Sequence, residues 1–455
     1  MKSLLDKLHT RLGDLWWYSL MIFVACRSGD VIQAFIGLWL VPKYVGPEEL
    51  GAVLPLQQLS GLFAVPLAII ATVFAKYVNT YATRGEYGKV KCFIRDVLLA
   101  SIIVFLVCIV VAYLVIPHFY ERLNVSAGFL TVLILAAGFT GNIANLFTSA
   151  LQGLKKFKTM TIQNLISAPI RLATLLVAMP IRALSGYILG QATPPATCSF
   201  LAAYSLHKDL RSTPLDTSWR KDLSEIWRYL WPIAICTILS TIFSTITTTI
   251  YRQRLPACES AAYYLLSRFA EIASYVGCSL NMILFPMASE AHEQNKNSAS
   301  IALNAIKGIL FSTLTLSAVF LFLADPLLSL SATWHEYIQY ANLLSLLTLV
   351  TGLSTAASAL AYYELACRRM LATVICLIFA GLQAGFFVCF TGYEFFRGAL
   401  PDVIVNAIKG LHVATLPHMT WCTLAFTLLL FLALSPIVRR LYKLKNAAAT
   451  MATKR

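Results

Sequence analysis

The chain has 455 residues, of which 58% are apolar and 13% charged, and its mean hydropathy is +0.72. Soluble domains carry about 25% charged residues, so this composition excludes a soluble enzyme, a disordered chain and a disulfide scaffold, and leaves a polytopic membrane protein. The 36 Lys and Arg against 21 Asp and Glu give a net charge of +15, which in such a chain bears on loop sidedness and not on nucleic acid.

A span needs about 20 apolar residues. Twelve segments satisfy this in chain order: 15–41, 50–78, 97–116, 127–151, 159–180, 184–206, 229–251, 257–288, 303–323, 338–362, 371–391 and 415–438. The first contains Arg27 and Asp30 and lacks a small-residue cleavage site, so it is expected to stay as a span. Prolines inside spans, such as Pro66, Pro169, Pro194 and Pro195, are tolerated where neighbouring helices re-satisfy the freed backbone groups. The eleven cysteines form no CxxC pair and read as small apolar side chains in the reduced state.

Loop charge orients the layout. With the N-terminus in the cytoplasm, 25 of the 36 basic residues fall in cytoplasmic segments, from Lys2 and Lys7 to Arg439 and Arg440, and seven in outer loops. That split obeys the positive-inside rule and places both termini in the cytoplasm of a cell that carries this chain in its inner or plasma membrane. The basic excess then faces anionic lipid.

Sliding the chain against itself by 210 residues aligns its halves. Glu48 to Ala52 meets Cys258 to Ala262, Val73 to Glu86 meets Ile283 to Lys296, and the basic loop at Lys155–Lys158 meets Arg368-Arg369. Six spans per half give two lobes of equal orientation, an arrangement common in transporters. The expected division is an N-terminal lobe at 1–210, a C-terminal lobe at 211–440 and a basic tail at 441–455.

Four cations, Arg27, Lys76, Arg171 and Arg268, lie inside predicted spans. A charge in the bilayer costs several kcal/mol unless it faces the bundle interior or water. Lys76 can snorkel to the interface. Arg27 has Asp30 one turn on, and Arg268 has Glu271 at the same spacing. Two readings stand: intrahelical ion pairs that lock packing, or a cationic cavity for an anionic group. Span five places Asn164, Ser167, Arg171 and Thr174 on one face, and span four repeats this with Asn142, Asn145, Ser149 and Gln152. Gln58 in span two is the 210-offset partner of Arg268. Spans seven and ten carry Ser/Thr stripes, Thr237/Thr241/Ser244/Thr248 and Thr351/Thr355/Ser358, which read as helix glue. The amide-plus-Arg stripes point instead to a wet wall. No phosphate loop, metal-ligand cluster or nucleophile set is found, so no catalytic residue, metal or cofactor is expected.

Three stretches carry a resemblance: Tyr44-Val45-Gly46-Pro47-Glu48-Glu49-Leu50-Gly51-Ala52 after span one, Ala150 to Phe157 at the end of span four, and Leu284-Phe285-Pro286-Met287-Ala288-Ser289 closing span eight. Over nearly its whole length the chain resembles the polysaccharide exporters of the multidrug/oligosaccharidyl-lipid/polysaccharide (MOP) superfamily, which include O-antigen-type lipid-linked oligosaccharide flippases. The resemblance implies an all-α fold of twelve transmembrane helices, in two six-helix lobes around a central cavity, like the multidrug extruders. It implies that Arg27 and Arg268 meet a substrate diphosphate; Arg171 has no family counterpart. The Asp typical of span seven is absent, since Thr249-Ile250-Tyr251-Arg252 stands there.

The expected function is therefore the flipping of a polyprenyl-diphosphate-linked oligosaccharide, not an enzyme reaction. The cavity set is Arg27, Asp30, Gln58, Asn145, Asn164, Arg171, Arg268 and Glu271. Expected partners are the lipid-linked oligosaccharide, membrane lipids, a coupling ion (H+ or Na+) and a polysaccharide polymerase, with no nucleic acid. The alternatives are a multidrug-extruder-type cation antiporter and a non-transporting membrane subunit of a polysaccharide secretion machine.

Overall fold

The computed structural model describes residues 29–123, 128–154, 156–211, 213–293, 299–367, 369–391 and 415–453. Arg27 and the 392–414 loop lie outside these. Among the described residues there is no β-strand. The helices are α1 (29–44), α2 (Pro47–Thr83), α3 (Tyr87–Leu123), α4 (Gly128–Gly153), α5 (Phe157–Ala178), α6 (Ala183–Leu210), α7 (Leu223–Arg254), α8 (Ala257–Glu293), α9 (Ala299–Ser329), α10 (Asn342–Ala366), α11 (Leu371–Thr391) and α12 (Leu416–Thr453).

The cause is the solvent. Hydrocarbon offers backbone N–H and C=O groups no partner, and a helix satisfies them within one segment. That is why Pro169 in α5, Pro194 and Pro195 in α6, and Pro436 in α12 sit inside helices, although an interior proline costs about 3 kcal/mol in a soluble helix. α1 absorbs its irregularity as a π-helical turn at Ile36–Leu40.

Six described helices, α4, α5, α9, α10, α11 and α12, contain stretches long and apolar enough to cross a membrane. Their outward faces agree: Phe311, Leu314, Leu321 and Phe322 on α9 and Leu428, Leu429 and Leu432 on α12 are exposed, as are Ile103, Leu106 and Val107 on α3. Apolar faces of this extent do not persist on soluble monomers. The chain is a multi-pass membrane protein, and each expected segment from the second onward overlaps one long helix.

The repeat is visible in the elements. α2 starts at Pro47 and α8 at Ala257, 210 residues on. The tight turns before them share two bonds: Val45 N donates to Val41 O as Leu255 N does to Tyr251 O, and Leu50 N to Gly46 O as Ser260 N does to Pro256 O. The offset does not stay at 210. α5 starts at Phe157 and α11 at Leu371, because the second half carries a one-turn helix, Ala332–His335, and a 3-10 turn, Ile338–Tyr340, ahead of α10.

The chain divides into two compact units: Met1–Val45 with Leu56–Thr241, and Gly46–Pro55 with Ile242–Arg455. In the first, α4, α5 and α6 pack mutually, and one core joins Phe74, Tyr81, Phe93, Leu151, Leu206 and Trp219. Trp219 belongs to the 3-10 turn Thr217–Asp222 that leads into α7, so this connecting segment is bound to the core. Its polar side is tied as well. Asp222 accepts from the Tyr81 hydroxyl at 2.7 Å, Lys91 donates to the Thr213 carbonyl, and Arg220 and Arg95 both donate to Asp96. Burial and the bond to Asp222 raise the pKa of Tyr81. For Asp96, burial pushes its pKa up, but the bonds from Arg220 and Arg95 outweigh this and hold the carboxyl below the usual aspartate range.

In the second unit α10 is the hub, packed on α8, α9 and α12. Small residues permit the approach: Ala356, Ala357 and Ala359 meet Ala302 and Ala305 of α9. Gly352 is required here, since a Cβ on it would collide with the Thr313 side chain. Buried Ser317 and Ser345 bridge α9 and α10 at 2.8 Å. Glu259, in the first turn of α8, accepts from the Leu416 N–H that opens α12, a carboxylate at a helix N-terminus.

Candidate functional site

Of the two described arginines in the expected set, the one on α8 is the more buried. Arg268 is 7% exposed, and its Nη1 lies 2.9 and 2.8 Å from Oε1 and Oε2 of Glu271. The carboxylate is the outer member, with 34% of its side chain exposed against 8% for Arg268. The guanidinium also covers the Tyr264 ring, 5.1 Å from its centroid, a cation–π contact that strengthens when water is excluded. Tyr264, Arg268 and Glu271 thus form a ladder of successive turns on one face. Phe269, on the neighbouring face, is wedged edge-on against Trp334 at 5.2 Å, which fixes the helix in rotation. Arg268 and Glu271 are thus bonded across one turn, as their spacing allows. The pair uses one guanidinium nitrogen and so does not form the parallel two-bond fork.

In the first unit, α1 and α5 approach where Gly29 faces Ala168. Asp30 follows Gly29, and Arg171 lies one turn beyond Ala168 on the same face of α5, with Asn164 one turn before it. Asp30, Asn164 and Arg171 are half-buried at this crossing. The other polar members of the α5 stripe turn elsewhere. Ser167 Oγ donates to the Asn164 carbonyl, and Thr174 donates to the Ile170 carbonyl and accepts from Thr193 of α6.

The α4 stripe divides by depth: Asn142 is buried, whereas Asn145 and Gln152 are exposed. On α2, Gln58 is half-buried, but its neighbour Gln57 is the one anchored, donating to the Tyr187 hydroxyl of α6. The Ser/Thr stripes bond to their own helices. Thr241 donates to Thr237 O, Thr355 to Thr351 O and Ser358 to Ser354 O, the i−4 pattern that costs the bundle no unsatisfied hydroxyl.

Several polar groups were not singled out from sequence. Glu364, fully buried in the last turn of α10, accepts from Arg440 of α12 at 2.5 Å. Its signal was present: it is the one charged residue of the α10 sequence, two positions beyond the expected span 338–362. The Asp96–Arg220 pair joins residues 124 apart, and no local spacing announces it.

No curated protein matches the chain. Solved structures with the same fold include an inward-facing multidrug resistance MATE family transporter of the MOP superfamily, at 14% identity over 91% of this chain and 96% of that one, with a TM-score of 0.67. A mutant of the Vibrio cholerae MATE transporter VcmN gives 16% identity over 96% and 99%, TM-score 0.63. The lipid II flippase MurJ, in an inward closed conformation, gives 14% over 95% and 91%, TM-score 0.60. At such identities the likeness shows the fold, an all-α fold shared with MOP superfamily transporters. Residues 20–292, more than half of the chain, match the family described as polysaccharide biosynthesis protein. The chain therefore belongs to the polysaccharide biosynthesis protein family.

Proposed function

We propose that the protein flips a polyprenyl-diphosphate-linked oligosaccharide from the cytoplasmic to the outer leaflet by alternating access, crossing the membrane twelve times with both termini in the cytoplasm. The observation that carries this reading is Arg268: a buried guanidinium on α8 of a polysaccharide-biosynthesis protein, paired with a carboxylate that solvent still reaches. Diphosphate is a dense anion whose oxygens fit the guanidinium fork. Glu271 holds one nitrogen of Arg268 at rest and exchanges with the incoming phosphate, assisted by uptake of a proton or sodium ion. Arg27 and Arg171 add positive charge, with Asp30 as a second exchangeable counter-ion. Gln58, Asn145 and Asn164 bond to sugar hydroxyls. A cationic drug beside Arg268 would meet a guanidinium, which disfavours the extruder reading.

The test is the distribution of sugar-lipid across the membrane. Cells lacking the protein accumulate lipid-linked oligosaccharide on the cytoplasmic leaflet under this reading, and an unchanged leaflet ratio contradicts it.

A further inference from the structure

α7 has two faces of different character at its start. Ile226, Leu230 and Ala234 recur every four residues and turn inward: Ile226 joins the core around Trp219 and Phe93, and Ala234 packs with Val65 and Ile69 of α2. Ser224, Trp227, Arg228 and Trp231 fall at i, i+3, i+4 and i+7 on another face, where they line an open hollow of about 400 Å³. Trp227 and Trp231 are 58% and 53% exposed. Their rings stack with centroids 5.8 Å apart and planes inclined by 29°. Their helix is held by its inward face and by the Trp219 anchor, so the rings stand on a fixed element.

A tryptophan at this depth serves ordinarily as an interfacial anchor. An anchor requires only depth, and neither a stacked partner nor a cation beside it. Here two rings, a guanidinium and a hydroxyl share one face. Charge around the face is balanced: Arg220 and Arg95 are engaged by Asp96, Asp222 accepts from Tyr81, and exposed Lys221 and Arg228 stand against exposed Asp216 and Glu225, so the cation on the face itself is Arg228. Indole faces accept the C–H faces of pyranose rings, while a guanidinium grips phosphate oxygens. A ligand that is sugar at one end and phosphate at the other uses both.

The geometry points to the Trp227/Trp231/Arg228 face as a docking platform for the sugar-diphosphate head of a lipid-linked saccharide, at the first turn of span seven and on the side where basic residues gather. This inference rests on the flippase reading above and adds a loading site distinct from Arg268. The platform collects the head group at the membrane surface before it enters the bundle.

Binding to the full-length protein in nanodiscs tests this, with farnesyl diphosphate carrying one N-acetylhexosamine as the probe. An Arg268→Ala background removes the deeper contact, so remaining binding reports the platform. In that background Trp227→Ala/Trp231→Ala lowers affinity by roughly tenfold, Trp227→Tyr/Trp231→Tyr keeps most of it, and farnesyl diphosphate without sugar binds more weakly than the probe. All variants should match the parent in melting temperature and gel-filtration profile. Unchanged affinity in the double alanine variant overturns the platform. So does equal competition by phosphatidylglycerol, which would make the face an anchor for bulk anionic lipid. Absence of probe binding in the parent protein itself, with Arg268 intact, would instead remove the flippase reading on which the platform rests.

Discussion

Arg440 on α12 reaches Glu364 at the end of α10, and the carboxylate it meets is completely buried. The first unit carries a pair with the signs exchanged: Lys156, just after α4, bonds to Asp209 in the last turn of α6. In both halves, then, the end of the fourth helix is tied to the sixth by opposite charges.

Removing one partner of such a pair strands the other. Arg440→Ala leaves the Glu364 carboxylate buried without its cation, and is expected to cost up to about 3 kcal/mol, reduced because Arg440 is 40% exposed. Glu364→Gln keeps an acceptor for Arg440 and costs less, and the double variant recovers part of the loss. Thermal unfolding in detergent checks the order. Equal, small shifts for both single variants would show that the pair contributes nothing.

Acid sensitivity should appear at the connecting segment. The lowered pKa of Asp96 means the folded state binds its proton less readily than the unfolded chain. Its stabilisation is complete above the ordinary aspartate value of about 3.9 and is lost as pH falls through the lowered folded value. Arg95 and Arg220 are both exposed, so the contribution is about 1 kcal/mol or less. Hydrogen exchange across 213–222 should rise on acidification below pH ~4 in the wild type, and Asp96→Asn should show the faster exchange already at neutral pH. An identical acid response in both would contradict the assignment.

The sequence revealed the helices well and the polar contacts unevenly, for a physical reason. Apolar length is a local property, so the segments at 371–391 and 257–288 reappear as α11 and α8 with their starts in place. Where charge continues a helix, hydropathy stops too soon: α12 runs on through Arg439, Arg440 and Lys443 to Thr453, because water satisfies those side chains without disturbing the backbone. Arg268 and Glu271 were legible because a one-turn spacing is a contact in any helix. Asp96 with Arg220, Gln57 with Tyr187 and Glu364 with Arg440 join residues far apart in sequence, and only packing decides them. The stacked and exposed Trp227 and Trp231 emerge only with the inward turn of Leu230 and Ala234.

The charge distribution predicts a topology that can be checked directly. Reporter fusions after Arg455 and within 392–414 should report opposite sides of the membrane, with the former cytoplasmic. Matching signals would refute the twelve-crossing layout.

Arg171 separates charge from geometry. If it grips phosphate through its planar fork, Arg171→Lys keeps the charge but loses the fit, costing roughly 1–3 kcal/mol of substrate interaction. If it only balances an acid near the α1–α5 crossing, Lys serves nearly as well. Transport by Arg171→Lys at normal expression is expected to be strongly impaired, and by Arg171→Ala abolished. Full activity in the lysine variant would remove the clamp role.

The central claim is movement of a diphosphate-linked saccharide through contact with Arg268. Its most direct measurement uses purified protein in liposomes loaded with a fluorescent polyprenyl-diphosphate oligosaccharide, following the fraction of label exposed to a membrane-impermeant quencher or glycosidase over time. Wild-type protein should equilibrate the label between leaflets, and Arg268→Ala, inserted to the same level, should leave it at the protein-free rate. A wild-type protein that leaves the label in place, or an Arg268→Ala variant that moves it at the wild-type rate, would contradict the account.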